Sequence, residues 1–208
     1  MDKLILPKKM TEYYKYFPDS LILETPRVKL RLMQMEDFDD LQPLTQSSVL
    51  WKYFTKDLSL SAELKQWMEE GMQERRQEKR MPFVVFDKDE QKICGCTSFG
   101  NISFFDKRIE IGWTWLGERF LGTGVNRQAK FALLSFAFDV MKMERVEIKT
   151  DNLNERAKTA LRKIGAKEEG ILRSHMLMQD ERRRDSVYFS ILKDEWEKVK
   201  RSYFVDLI

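Results

Sequence analysis

The segment Arg119-Phe-Leu-Gly-Thr-Gly124 joins two stretches of different periodicity, and that junction constrains the fold more than any other part of the chain. Before it, Ile109, Ile111, Trp113 and Trp115 recur at every second position, the period of a strand, which predicts that all four share one face. After it, Phe131, Leu134, Phe138 and Met141 recur at helical spacing, with Asn126 as the expected N-cap. A strand that enters a helix through Gly122 and Gly124 leaves backbone N–H groups unpaired at the turn, and the helix dipole adds partial positive charge there. Such a turn suits a phosphate or pyrophosphate, and glycine removes the Cβ that would hold the backbone away from it. A bare turn needs the same glycines, so the pair alone leaves both readings open. No third glycine completes a dinucleotide fingerprint, and no Gly-Lys-Ser/Thr follows for a P-loop.

The 208 residues, 42% of them hydrophobic, suffice for one substantial core. Lys and Arg number 37 against 34 Asp and Glu, a net charge of +3 spread along the chain, which argues against a dedicated nucleic-acid binder. Cys94 and Cys96 lie two apart in a predicted strand, Ile93–Phe99, so both side chains are expected on one face and a disulfide between them would be strained. With His175 the sole histidine, a thiolate-rich zinc site has too few ligands, and no metal is expected. The cysteines read as thiols of a reducing compartment. The sequence opens without a signal-peptide core and holds no stretch of membrane-spanning length, so a cytoplasmic protein without membrane contact is expected.

The expected element order is β-α-α-β-β-β-α-β-α-β-β. Val28–Leu32 alternates as a first strand, and Glu36–Leu41 opens a helix with acids in its first turn. Leu64, Trp67, Met68, Gly71 and Met72 mark a second helix behind Ser61. The charged run from Glu74 to Arg80 is expected to form its exposed end, stopped by Pro82. Phe83–Phe86 and Ile93–Phe99 flank a polar turn as a hairpin. Arg145–Lys149 reads as a strand, and Asn154 opens a helix that closes before Gly165. Glu169–Arg173 and Arg184–Leu192 read as the last strands, and Asp194–Glu197 begins a terminal helix. Tyr13, Tyr14, Tyr16 and Phe17 make residues 1–20 too aromatic for a simple tail, and they are expected to pack on the domain or on a second chain.

Several local sequences in this order resemble the GCN5-related N-acetyltransferases (GNAT), in the branch of the ribosomal-protein N-terminal acetyltransferases. Leu23–Leu32 is similar to that branch's first strand and Glu110-Ile-Gly-Trp113 to its central strand. Arg119 to Gly124 resembles its R-x-x-G-x-G pyrophosphate loop. Asp151–Arg156 with Leu161–Gly170 is similar to a second signature, and Arg184–Ser190 with Glu195-Trp196 to the final strand and following turn. The resemblance runs from Leu23 to Trp196. It implies an α/β fold with a splayed, mostly antiparallel sheet of about seven strands and helices on both faces. It implies one acetyltransferase domain at 23–200, between an N-terminal extension, 1–22, and a C-terminal tail, 201–208.

The activity so implied is acetyl-CoA-dependent N-acetyl transfer to a primary amine, either a small molecule or a protein N-terminus, by direct attack in a ternary complex of a monomer or homodimer. A longer acyl-CoA donor and a non-catalytic acetyl-CoA-binding or scaffold domain are the alternatives. The resemblance assigns the pantetheine arm and thioester carbonyl to Trp113, Thr114, Trp115 and Leu116. It assigns the pyrophosphate to Arg119 and to Leu121, Gly122, Thr123, Gly124, Val125 and Asn126. Asn154 is either a pantetheine ligand or a plain N-cap. Many relatives place a general-acid tyrosine on the helix that follows; Ala157–Ile164 has none, and Thr159 carries its one hydroxyl. Glu110 is either the base that deprotonates the amine or a structural carboxylate paired with a nearby cation. His175 is either an alternative base on the substrate side or a surface or packed histidine.

Overall fold

The computed structural model describes residues 11–208; the first ten residues of the expected N-terminal extension lie outside the described residues. The strands are β1 (Ile22–Glu24), β2 (Val28–Leu32), β3 (Arg80–Asp87), β4 (Lys92–Ser103), β5 (Arg108–Leu116), β6 (Arg145–Asp151), β7 (Lys167–Leu177) and β8 (Arg183–Leu192). They form one sheet in the order β1-β2-β3-β4-β5-β6-β8-β7, and only the β5–β6 pair is parallel. The helices are α1 (Glu12–Tyr16), α2 (Phe38–Leu41), α3 (Ser61–Arg76), α4 (Val125–Ser135), α5 (Glu155–Arg162) and α6 (Lys193–Tyr203). This is the expected mixed α/β architecture with one strand more than the sequence suggested. The stretch read as a single first strand is a hairpin turned at Pro26, where the Thr25 hydroxyl accepts from Val28 N at 3.0 Å.

The apolar pattern divides between the two faces of the sheet. On one face Phe83, Val85, Ile109 and Ile111 pack against Leu133 of α4, Ala137 in the helical turn just past it, and Trp196 of α6. On the other, Val84, Ile93 and Trp115 pack against Leu64, Trp67 and Met68 of α3. Tyr13 and Phe17 are buried in the first cluster, and the Tyr13 hydroxyl donates to the Arg80 carbonyl at 2.5 Å. The aromatic segment before β1 therefore packs on the domain itself. Phe204, beyond α6, joins the same core.

Two local expectations fail for the same reason, an extra residue in a strand. Val85 pairs with Gly95 but Phe86 with Ile93, so Cys94 is the surplus residue of a β-bulge. Cys94 consequently packs in the first core and Cys96 in the second, on opposite faces rather than one. The second bulge, in β5, shapes the site described below. Pro82 also departs from expectation: α3 ends at Arg76, and Pro82 lies inside β3. Its missing N–H falls just past the last β2–β3 pair, Leu32 with Phe83, where no ladder bond is lost. Arg75 and Arg80, expected on an exposed run, are buried.

The feature that positions the site is the brevity of the β5–β6 pairing. Arg108, Ile109 and Glu110 face Arg145, Val146 and Glu147, and there the pairing stops. β6 continues against β8 as far as Asp151, and β5 continues against β4 as far as Leu116. The sheet opens into a wedge beyond Glu110, as the resemblance implied.

Candidate active site

One edge of the wedge is the second half of β5. Ser98 pairs with Gly112 and Cys96 with Trp115, so Thr97 alone faces both Trp113 and Thr114. Trp113 takes φ +52°, a conformation that costs an L-residue about 1–2 kcal/mol. The bulge turns the strand over: Ile109 and Ile111 lie in the first core, whereas Trp113 and Trp115 belong to the second. The single shared face read from the alternation is thus corrected, because a period of two survives only while the strand has no surplus residue. The Trp113 ring covers Gly100, where a Cβ would stand 2.4 Å from a ring carbon, and stacks with the Arg80 guanidinium at 4.7 Å. Beyond Glu110 the β6 side of β5 has no strand partner, so backbone groups between Gly112 and Leu116 face the wedge.

After Leu116 the chain makes a short turn, Glu118–Phe120, and reaches the glycine loop. Gly122 and Gly124 adopt φ +77° and +91°, and a Cβ at either would meet nothing within 4 Å. Both glycines are therefore required by backbone conformation, and both leave the outer side of the loop open. Gly124 is the N-cap and α4 begins at Val125, so Asn126 lies inside the first turn and is not the cap the sequence suggested. Its Oδ1 is buried without a hydrogen-bond partner among the described residues. The first turn of α4 carries no acid to compete for its free N–H groups. The loop is braced from the β1–β2 turn, where Arg27 donates to the Thr123 carbonyl at 2.8 Å and pairs with Asp87. Arg119 is half exposed, 3.8 Å from Glu90, with its guanidinium over Phe120.

Behind the bulge, the Lys130 ammonium of α4 donates to Thr114 Oγ1 at 2.8 Å, and Thr114 Oγ1 lies 2.8 Å from Thr97 Oγ1. Burial pushes the Lys130 pKa down to about 7. On the far edge of the wedge, Asn154 caps α5, with Oδ1 accepting from Ala157 N at 3.0 Å. The cap reading is met in full by Oδ1, which leaves the side-chain NH₂ to donate elsewhere.

Glu110 stands at the apex. Its carboxylate is 3% exposed and accepts from Lys149 Nζ at 2.6 and 2.8 Å and from Asn101 Nδ2 at 2.7 Å. It lines a cavity of about 510 Å³ together with Arg80, Asn101, Trp113, Glu147 and Tyr188. His175 lies within β7, not after it, because β7 bulges near Ser174 (φ +52°) and resumes to Leu177. Its Nδ1 is 2.9 Å from Ser186 Oγ, and its ring meets Tyr188 edge-on. Burial, then Lys149 and Arg184, lower its pKa below the ordinary histidine value. Burial, then Glu110 and Glu147, raise that of Tyr188. Among the described residues, no group of three or more His, Cys, Asp or Glu side chains is placed to hold a metal ion, and no helix is long and apolar enough to cross a membrane.

A wedge between β5 and β6, a bulged strand on one side of it and a glycine loop at a helix N-terminus form one continuous arrangement. Residues 27–167 match the Acetyltransferase (GNAT) domain family, more than half of the chain. The chain belongs to the GNAT acetyltransferase family. A Bacillus subtilis relative, provisionally named the ribosomal N-acetyltransferase YdaF, is 33% identical over 108 residues, which are 52% of this chain and 58% of that protein. The uncharacterized N-acetyltransferase p20 of Bacillus licheniformis is 29% identical over 178 residues, 84% of this chain and 97% of that protein. The crystal structure of a GCN5-related N-acetyltransferase from Brucella melitensis is similar with a TM-score of 0.83 at 25% identity, covering 91% of this chain and 86% of that one.

Several residues of this GNAT cleft escaped the sequence reading. Lys149 and Glu147 alternate with the inward Val146 and Ile148, so a charged face opposite the core was legible but had no partner assigned. Lys130 precedes Leu133 and Leu134 by three and four positions, which places it on the buried helix face. Arg80 and Tyr188 left no such signal. They reach Glu110 only through the registers Arg80–Gly100–Glu110 and Glu110–Glu147, with Lys149–Tyr188 one step further along the same face.

Proposed function

We propose that the protein is an acetyl-CoA-dependent N-acetyltransferase that acts on a primary amine by direct attack in a ternary complex. The observation that carries this reading is the wedge: β5 loses its strand partner just where the bulge at Trp113 turns it over, and the same strand leads into the open glycine loop. Bound acetyl-CoA supplies an activated acyl thioester. The residues present fit it, since the N–H groups of the first α4 turn and the open side of Gly122 and Gly124 suit a pyrophosphate. Trp113 to Leu116 offer unpaired main-chain groups to an extended arm and to a developing oxyanion. Asn154 has its NH₂ free for a carbonyl of that arm.

In this scheme the C–N bond forms as the C–S bond breaks, the thiolate leaves, and the amine gives up a proton. Glu110 takes that proton directly or through one water. The name of the Bacillus subtilis relative favours a protein N-terminus as acceptor over a small molecule. Release of thiol when the purified protein, acetyl-CoA and a library of amines and N-terminal peptides are combined supports the proposal. Coenzyme A binding without turnover of any amine favours the non-catalytic alternative, to which the absence of a tyrosine on α5 gives weight.

A further inference from the structure

We propose that Lys149 is a positioning residue which, with the gap at Gly112, determines which oxygen of Glu110 meets the acceptor amine. The inference rests on the reading of Glu110 as the base. Lys149 lies on β6 two residues past Glu147, the last residue paired with β5, so its ion pair with Glu110 crosses the wedge immediately beyond the final backbone rung. Side chains at 147 and 149 of a strand share a face, and in-register partners across neighbouring strands share it too. Glu110, Glu147, Lys149 and Tyr188 therefore stand on the cavity side of the sheet.

A carboxylate has about four lone-pair sites. Oε2 of Glu110 uses both of its own, accepting from Lys149 at 2.6 Å and Asn101 at 2.7 Å. Oε1 accepts from Lys149 at 2.8 Å and keeps one. A Cβ at Gly112 would stand 3.0 Å from Oε1, so the bare glycine leaves that oxygen approachable from β5, next to the bulge. Lys149 and Asn101 occupy one side of the carboxylate; the remaining lone pair belongs to Oε1.

Charged and titratable groups converge on this pair from every packed element. His175 comes from β7, Arg184 and Tyr188 from β8, Glu147 from β6, Arg108 from β5, Glu74 from α3, Arg80 from β3, and Glu78 and Lys79 from the turn between those two. None of them makes a hydrogen bond to Glu110; Lys149 and Asn101 do. Lys149 is thus the cation whose removal changes the orientation of the base.

The test measures kcat and the KM for acetyl-CoA of wild type, Lys149→Met, Lys149→Arg, Gly112→Ala and Glu110→Gln, each confirmed folded by its melting curve. Lys149→Met should lower kcat roughly a hundredfold, the scale of a misplaced reacting group, and leave the acetyl-CoA KM unchanged. Lys149→Arg, which keeps the cation, should restore part of the rate. Gly112→Ala keeps every charge and tests the inference even if Lys149→Met does not fold. It should lower kcat and leave the acetyl-CoA KM unchanged. If Glu110→Gln is inactive while Lys149→Met and Gly112→Ala both turn over as wild type, this inference is overturned and the base reading stands. If Glu110→Gln retains wild-type turnover, the base reading itself fails and this inference with it.

Discussion

The Lys130 ammonium and the Thr114 hydroxyl meet at 2.8 Å inside the core, directly behind the bulge of β5. Thr114 is the hydrogen-bond partner of that cation, and burial alone accounts for the fall of its pKa to about 7. An unfolded lysine titrates near 10.4, so between about pH 7 and pH 10 the unfolded chain binds the extra proton. Stability therefore rises with pH through that window, and the full cost of burying the charge is present below pH 7. Lys130→Met should raise the melting temperature most at pH 6, with the gain shrinking toward pH 10. A gain that is constant across this range would sink the assignment.

Coenzyme A should raise the melting temperature, because a ligand bound only by the folded state must stabilise it. Gly124→Glu should abolish that rise by setting a side chain and a negative charge on the open side of the loop. An undiminished shift in the variant would put the phosphates elsewhere.

Asn154→Ala separates the two roles of one amide. Loss of the Oδ1 bond to Ala157 N should cost about 0.5–2 kcal/mol of stability, the usual worth of an N-cap. Calorimetry should also show weaker coenzyme A binding, from loss of the NH₂ donor. Normal affinity with a lower melting temperature would leave the cap as its whole role.

Glu110→Gln retains shape but cannot accept a proton. Its kcat/KM should fall by roughly 10²–10⁴, with coenzyme A affinity little changed. The same change leaves Lys149 without its carboxylate, and removing one partner of a buried pair typically costs about 3–5 kcal/mol. Rates must accordingly be measured well below the variant's own melting temperature. Near-normal turnover would make Glu110 structural and His175→Ala the next experiment.

The order of strands and helices was legible because period two and period 3.6 are local properties, and the glycine loop was legible because its neighbours have different periods. What could not be read was the surplus residue. Nothing in Glu110-Ile-Gly-Trp-Thr-Trp115 announces that Thr97 will face two residues, yet that mismatch decides which side of the sheet Trp113 and Trp115 occupy. The same holds at Cys94. His175 was placed too early past its strand because a bulged strand looks, in sequence, like one that has ended. The surroundings of Glu110 were invisible for a different reason: its partners Asn101 and Lys149 and its neighbour Tyr188 come from three other strands, and only the register brings them together.

Across the apex β5 and β6 share three paired positions and the Glu110–Lys149 ion pair, and the two halves of the sheet are also held by the first core, which contains Ile109 and Ile111 as well as Val146 and Ile148. The backbone ladder is therefore interrupted beyond Glu110 while the core beneath it is continuous. An extended molecule lying along β5 would stand in for the missing strand on that open edge. On the proposed function, amide exchange along Gly112–Leu116 should therefore slow on coenzyme A binding far more than exchange in the fully paired strands.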